Sequence, residues 1–251
     1  MKYDRQQEML AYLRENHSAK NEELLERFGV SIQTLRRDLE TFEKQGLVEK
    51  VYGGVIYNDS ADFIFSTGSF EDRNAANSKE KEYIAKLAAS LIEENDVIFI
   101  DSGSTVYRIL HYLNDVNNVT VMSHSLDVMN SLKEMPNLTA ICLGGVLNPK
   151  SNTFEYDANF YPFNYSKAFI ATVGISTTRL LTNTSLNEGA VKAHIIEKSS
   201  KNYIVADHSK FDVTAYNQFA DFSKITAVIT DCQPPEQFER FFESQNVELI
   251  Y

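Results

Sequence analysis

Residues 1–57 carry apolar positions at helical spacing, and these positions predict three short helices followed by a β-hairpin. The first helix is expected from about Asp4 to Asn16 and the second over Asn21–Phe28. A tight corner at Gly29-Val30 leads into the third helix, which is helix-turn-helix spacing. Strand-forming residues from Leu47 to Tyr57 surround a Gly-Gly turn signal and predict a wing, so the module reads as a winged helix.

The third helix has marked ends and one apolar stripe. Ser31 can cap its first turn through the side-chain hydroxyl, and Gly46 can end it in the left-handed conformation. Four apolar residues recur at steps of three and four and are expected to be buried: Ile32, Leu35, Leu39 and Phe42. The remaining residues of the helix are therefore predicted to face outward.

The outward residues are of types that bind phosphate or read base edges in a DNA groove. Together with the capping serine and one lysine of the wing, they form the predicted DNA contacts: Ser31, Gln33, Thr34, Arg36, Arg37, Thr41, Lys44 and Lys50. The alternative is a surface helix whose charged face is merely solvated. The helix-turn-helix context upstream favours DNA recognition.

The motif Ser31-x-x-Thr34-x-Arg36-Arg37-Asp38-Leu39, with Gly46-Leu47 and Gly53-Gly54-Val55, resembles the signature of the DeoR family of bacterial transcriptional regulators. The resemblance implies that the module binds double-stranded operator DNA. We expect a homo-oligomer, because paired reading heads match a repeated or palindromic site.

From residue 79 onward helical segments alternate with continuous apolar runs, which are typical of strands buried on both faces. Helices between strands imply parallel pairing with right-handed crossovers. The fold class is therefore α/β, with a small N-terminal winged helix-turn-helix and a larger open, mostly parallel sheet. We divide the chain into a DNA-binding domain at residues 1–57, a linker at 58–78 and an effector domain at 79–251.

Open α/β sheets bind ligands beyond the carboxyl ends of their strands, where polar residues of this chain collect. Asp101-Ser102-Gly103-Ser104-Thr105 follows the first strand and precedes a helix, so its hydroxyls and amides suit a phosphate. A simple helix cap beside a turn glycine is the alternative. Further strand ends supply three more candidate groups: Ser123 and His124, Gly144 and Gly145, and Asp207 and Lys210.

Glu188 and Lys192 stand four residues apart on one predicted helix face. They can bind a sugar hydroxyl and a phosphate, or form an ordinary exposed salt bridge worth about 0.3 to 0.5 kcal/mol. His124 stands where the family usually carries Asn, and it is expected either to contact the ligand or to face solvent at a helix start.

The strand-end motifs, Glu188-x-x-x-Lys192 and Ala206-Asp207-x-Ser209-Lys210-Phe211 among them, resemble the effector domain of DeoR regulators. The resemblance implies a fold like that of ribose-5-phosphate isomerase and a phosphorylated sugar as effector. We expect a regulator, most often a repressor released by that sugar. The alternative is an isomerase-like enzyme with a DNA-binding appendage, in which Glu188 or Asp207 is the base and Lys192 steadies an enediolate.

Charge and residue composition limit which functions and cellular locations the chain is expected to have. A formal net charge of −11 argues against indiscriminate nucleic-acid binding, so DNA affinity depends on where basic residues are placed and on salt. No apolar run reaches the roughly 20 residues that span a bilayer, and we expect a cytoplasmic protein. Cys142 and Cys232 lie in strand-like runs and are expected to be buried and inert. The five histidines lack metal-ligand spacing, so we expect neither metal nor cofactor.

Overall fold

The structure, a computed structural model, describes residues 2–44, 47–58, 70–149, 151–155 and 162–251. The chain divides into two compact units, Met1–Gly68 and Ser69–Tyr251. Gly46 and most of the expected linker lie outside the described residues.

The first unit contains three helices and a small antiparallel sheet. In chain order its elements are α1 (Lys2–Asn16), β1 (Ser18–Lys20), α2 (Asn21–Phe28), α3 (Ile32–Lys44), β2 (Val48–Val51) and β3 (Gly54–Tyr57). The sheet order β1-β3-β2 adds a strand that the periodicity did not predict. Gly29, at φ 60°, makes the corner between α2 and α3, and a side chain on Gly54 would lie 2.7 Å from the carbonyl oxygen of Ala19.

The core of this unit collects residues from all its helices and from the hairpin. Leu35, Leu39 and Phe42 of α3 are buried in it, as the helical spacing predicts. Ile32 is 42% exposed, so its predicted burial is wrong. It begins α3, one turn before Leu35, and lies at the rim of a groove between α3 and the hairpin rather than in the core.

The second unit is built on a seven-stranded parallel sheet of order β15-β14-β12-β9-β4-β5-β6, which confirms the predicted fold class. The strands of this sheet are β4 (Val97–Ile100), β5 (Thr120–Ser123), β6 (Thr139–Cys142), β9 (Tyr165–Ala171), β12 (Ser199–Val205), β14 (Ala227–Ile229) and β15 (Glu248–Ile250). The short strands β7 (Val146–Asn148) and β8 (Thr153–Glu155) form a hairpin. A small antiparallel sheet comprises β10 (Gly174–Ser176), β11 (Leu180–Asn183) and β13 (Asn217–Ala220).

Helices cover both faces of the parallel sheet. They are α4 (Phe70–Ala75), α5 (Ser78–Ala89), α6 (Leu126–Leu132), α7 (Leu186–Lys198) and α8 (Glu236–Ser244), with 3-10 helices at Val106–Tyr112 and His208–Lys210. Successive strand residues point to opposite faces, so Ile98 joins the core under α5 and α6 while Phe99 joins the core under α7 and α8. Burial on both faces explains the continuous apolar runs.

The expected burial of the two cysteines is wrong. The edge strand β6 is largely exposed, and Cys142 at its end and Cys232 after β14 are both exposed rather than buried. An edge strand and a loop lack the neighbour that buries a central strand. In addition, residues 70–75 form α4 within the segment expected to be a linker, and the helix expected from about Thr105 to Leu113 is a 3-10 helix.

Candidate functional site

The outward face of α3 presents the residues predicted to contact DNA. Gln33, Arg36, Arg37 and Thr41 are exposed, whereas Thr34 is half-buried; the side chain of Lys44 is outside the described part. Among described residues, neither Arg36 nor Arg37 has a carboxylate within salt-bridge distance. Both guanidinium groups are therefore available to a phosphate or a base.

Hydroxyl groups of this helix also serve its own geometry. Ser31 accepts a hydrogen bond from the backbone N–H of Thr34 at 3.2 Å, which is the predicted cap. The hydroxyl of Thr41 donates to the carbonyl of Arg37 at 2.8 Å. Lys50 of the hairpin pairs with Glu43 of α3 at 2.6 Å, so part of its charge is already balanced. Sequence spacing alone did not reveal this pairing.

Arg36, Glu40 and Lys50 line the groove between α3 and the hairpin, and the exposed Ile32 borders it. The hairpin turn presents a fully exposed Tyr52. The sequence reasoning missed Ile32 and Tyr52 as surface groups. Both apolar and cationic side chains line this groove, which lies on the face of α3 that carries predicted DNA contacts.

Asp38 anchors α3 to α1. It is 1% exposed, and it accepts hydrogen bonds from Arg5 Nη2 at 2.9 Å and from Gln6 Nε2 at 2.6 Å. Both donors belong to α1. This pairing fixes how α3 is oriented within the first unit.

The carboxyl ends of β4 and β9 meet around Asp101, which is fully buried. Its carboxylate accepts from the N–H of Ser102 at 2.8 Å, from the N–H of Ala171 at 2.9 Å, and from the ammonium of Lys192. Lys192 also donates to the Ala171 carbonyl at 2.9 Å. Burial alone would raise the pKa of Asp101, but Lys192 and His124 hold it below its ordinary value.

Lys192 therefore is not one half of an exposed salt bridge with Glu188. It is 3% exposed, and its partner is Asp101, which directly follows β4, rather than a residue of its own helix. Glu188 instead accepts from Asn183 Nδ2 at 3.0 Å. The i,i+4 spacing places both residues on α7 but does not pair them.

His124 lies in the same cluster. It is 2% exposed, its ring stacks on Phe99 with centroids 5.8 Å apart, and its Nε2 is 4.0 Å from Asp101 Oδ1. The alternative that it faces solvent is wrong, because the end of β5 carries it inward. Burial lowers the pKa of His124 against the opposing pull of Asp101.

The loop after β4 is packed against the end of β9. A side chain on Gly103 would lie 2.3 Å from the Cβ of Ala171, so only glycine fits there. Ser104 and Thr105 are buried, and Ser102 is half-buried. Thr105 stands at the start of the 3-10 helix without a side-chain capping bond, which disfavours the simple-cap alternative for that residue.

Neighbouring strand ends carry the remaining candidates. Ser123 accepts from the N–H of Ser125 at 3.0 Å, and Ser125 caps α6. Gly144 is half-buried and Gly145 is exposed after the edge strand. The structure thus gathers Asp101, Lys192 and His124 closely, while the glycines follow the outermost strand.

A second cluster surrounds Asp207 at the end of β12. Asp207 is 1% exposed, and its Oδ1 accepts from Asn77 Nδ2 at 3.1 Å and from the N–H of Ser209 at 3.0 Å. Its Oδ2 has no hydrogen-bond partner among the described residues. Burial opposes ionisation of Asp207, but Lys210, Ser209 and Lys81 lower its pKa.

Lys81 and Asn77 were not among the sequence candidates. Lys81 is 4% exposed, and its ammonium donates to the carbonyl of Arg73. Burial lowers the pKa of Lys81 to about 8, although Asp207 partly offsets that effect. Asn77 immediately precedes α5 and Lys81 lies in its first turn, within an ordinary polar stretch of the sequence, so no local signal distinguished them.

His208 and Asp231 form a close pair at the ends of β12 and β14, with Nδ1 and Oδ2 2.5 Å apart. Cys232 lies beside them, and the potential metal-ligand atoms of these three residues are all within 4.8 Å of one another. Two ligands of one zinc ion stand roughly 3.4 Å apart in tetrahedral geometry, so the pair as it stands is a hydrogen bond. Asp231 raises the pKa of His208 against the effect of burial.

None of the described helices is both long enough and apolar enough to cross a bilayer.

An exposed helix-turn-helix face and a separate α/β unit with polar strand ends define a DNA-binding regulator with a sensor domain. A family model for the DeoR C terminal sensor domain matches residues 76–232, and a model for the DeoR-like helix-turn-helix domain matches residues 5–61. The chain belongs to the DeoR family of transcriptional regulators.

Full-length relatives agree with this family. The HTH-type transcriptional regulator IolR of Bacillus subtilis (strain 168) is 33% identical over 99% of both chains. The glycerol-3-phosphate regulon repressor of Escherichia coli (strain K12) is 30% identical over 91% of this chain and 90% of the relative. The L-fucose operon activator of Haemophilus influenzae is 28% identical over 96% of this chain and 97% of the relative. The chain is therefore a transcriptional regulator rather than an isomerase.

Among solved structures, ribose 5-phosphate isomerase from Methanocaldococcus jannaschii aligns with 54% of this chain and 55% of that chain. The TM-score is 0.41 and the sequence identity is 17%.

Proposed function

We propose that this regulator represses a sugar-metabolism operon and that a phosphorylated sugar, bound at the strand ends of the second unit, weakens its hold on the operator. The observation that carries the proposal is the convergence of the Ser102–Thr105 loop with Asp101, Lys192 and His124 at one edge of the sheet. Repression is the expected sign of control; activation would use the same residues.

The exposed face of α3 supports operator reading by Gln33, Arg36, Arg37 and Thr41, with Ser31 and Thr34 at its start. Lys44 and Lys50 are assigned to phosphate contacts, which position a protein without reading sequence. We add Ile32, since an exposed apolar side chain at the start of a recognition helix suits contact with a thymine methyl group.

In the sensor unit, the phosphate is assigned to the amides and hydroxyls of the Ser102–Thr105 loop. Lys192 is already paired with Asp101, so we assign it to holding the loop rather than to carrying the ligand's charge alone. Glu188 and His124 are assigned to sugar hydroxyls, and Asp207 and Lys210 to the far end of the site. Ser123, Gly144 and Gly145 complete the assigned set at the ends of β5 and β6.

We also propose that the regulator acts as a homo-oligomer, because two reading heads on a palindromic operator multiply affinity and select half-site spacing. Sedimentation of the full-length protein measures this directly. A monomer that binds its operator at full affinity contradicts the proposal.

A thermal-shift panel tests the effector class. Glycerol 3-phosphate, ribose 5-phosphate, fructose 6-phosphate and inorganic phosphate are compared with the unphosphorylated sugars, since a bound ligand stabilises the folded state by mass action. We expect at least one sugar phosphate to raise Tm and to lower affinity for a duplex selected from random DNA. If only unphosphorylated sugars act, the phosphate assignment is wrong.

A further inference from the structure

The first described element of the second unit is a short segment, Phe70–Asn77, which consists of α4 and its junction with α5. We call it the junction segment. It lies at the start of the second unit, after the DNA-binding unit in chain order. The junction segment is held by residues beside the Ser102–Thr105 loop and by Asp207 at the end of β12.

One contact to the junction segment comes from residues that follow the Ser102–Thr105 loop. Arg108 lies in the 3-10 helix that begins immediately after Thr105, and it is 9% exposed. Its Nη2 donates to the backbone oxygen and to the side-chain Oδ1 of Asn74, at 2.8 Å each. Next to it, the ring of Tyr107 packs edge-on against Phe70 with centroids 6.1 Å apart. A displacement of the loop would therefore be passed to α4 through two neighbouring side chains.

The other contact comes from the end of β12. Asn77 donates to Asp207 Oδ1 at 3.1 Å while the second oxygen of that buried carboxylate lacks a hydrogen-bond partner among the described residues. Asn77 itself has φ 50°, a left-handed conformation that asparagine tolerates and that breaks the chain between α4 and α5. Lys81 also binds the junction segment, because its ammonium donates to the carbonyl of Arg73.

We propose that the junction segment couples the two sites: effector binding changes its contacts with Arg108 and Asp207, and the altered segment changes DNA binding. The proposal rests on the proposed function of the sensor site. An anion in the Ser102–Thr105 loop acts on the start of the helix that carries Arg108. A sugar hydroxyl that donates to the open Oδ2 of Asp207 binds the same carboxylate that holds Asn77 through Oδ1, and a shift of that carboxylate alters the Asn77 contact.

Hydrogen–deuterium exchange of the full-length protein provides the first test. Exchange in residues 70–77 is compared without ligand, with ribose 5-phosphate, with glycerol 3-phosphate, with inorganic phosphate, and with the selected operator duplex. Coupling is reciprocal, so operator binding alone must also alter exchange in the junction segment. Unchanged exchange on operator binding overturns the proposal even if no tested phosphate binds; failure of every sugar phosphate to bind would refute the proposed effector instead.

The sharper test replaces Asn77 with glycine, which keeps the left-handed backbone and removes only the side chain. Asn118→Gly is the matched control, because Asn118 has φ 59° and donates to Glu94 at 2.9 Å on a different surface. We expect Asn77→Gly to bind the active sugar phosphate within about threefold of the wild type, yet to reduce an operator response of about tenfold to under about twofold. Asn118→Gly should respond like the wild type.

Two results would contradict this role. A wild-type operator response in Asn77→Gly would show that the Asp207 contact transmits nothing. Loss of sugar-phosphate binding by the same variant, measured by calorimetry, would make Asn77 a binding residue instead of a coupling one.

Discussion

The buried pair between Asp101 and Lys192 gives the most direct prediction about the sensor unit. Lys192→Met keeps most of the side-chain volume but leaves a fully buried carboxylate without its ammonium. Removing one member of such a pair costs about 3 to 5 kcal/mol, and we expect the free energy of unfolding of this unit to fall by that amount. Replacing both members, as Asp101→Asn with Lys192→Met, should recover part of the loss: no uncompensated charge remains, but the asparagine NH2 faces one of the two backbone N–H groups that the carboxylate accepts from.

The same pair predicts a reversal in pH dependence. In the wild type Asp101 has a lowered pKa, so its contribution to stability is present above the unfolded value of 3.8 and is lost as pH falls. In Lys192→Met the burial of Asp101 is no longer offset by the ammonium, and its pKa should rise. The cost of the substitution should therefore shrink as pH falls from about 7 toward about 5.

Urea denaturation followed by circular dichroism measures both effects. Lys224→Met is the matched control, because Lys224 pairs with Glu197 on the surface and both side chains are more than half exposed. That variant should lose under about 1 kcal/mol. If Lys192→Met loses no more than Lys224→Met, or if the double variant is no better than the single one, the ion pair does not hold the strand ends together.

Three further substitutions test the remaining assignments. Arg37→Ala should cost about 1 to 3 kcal/mol in operator binding at fixed salt, without changing the thermal stability of the sensor unit. Asp38→Ala should leave the partly buried Arg5 unpaired and lower both the unfolding midpoint of the first unit and its DNA affinity, as calorimetry and operator titration would show. Ser104→Glu should place a fixed negative charge in the phosphate loop; operator titration should find normal DNA affinity that sugar phosphate no longer lowers, and an intact response would place the phosphate elsewhere.

The fold class was predictable because the sheet is buried on both faces and leaves continuous apolar runs. β4 is a central strand whose residues alternate between the two cores without any polar interruption, and the apolar end of the central strand β12, Tyr203–Val205, alternates in the same way. The edge strand β6 has the same apolar character in the sequence, but among the described residues no strand pairs with its outer side. Periodicity reports local chain geometry, so it could not distinguish a central strand from an edge or foresee that Cys142 is exposed.

The sequence predicted where the residues of the candidate site lie in the fold, but not which side chains they pair with. Strand ends and helix starts indicated where Asp101, His124 and Asp207 would collect, because all parallel strands finish at the same edge. The partners of these residues come from distant parts of the chain. Lys192 is 91 residues from Asp101, and Asn77 is 130 residues from Asp207. Spacing within a single helix, which had suggested a pair between Glu188 and Lys192, carries no information about such contacts.

The position of Lys192 also changes how the site must recognise an anion. Its ammonium donates both to Asp101, directly after β4, and to the carbonyl of Ala171 at the end of β9, so α7 and two strand ends meet at one point. The lysine charge is largely balanced within the protein, and a phosphate in the adjacent loop gains more from oriented amides than from a new ion pair. Recognition by amides depends on the exact course of the loop, which Asp101 fixes by accepting from the N–H of Ser102. Under the proposed function, a phosphate bound in this loop would act on the residues that lead into Arg108 and, through Arg108, on the junction segment.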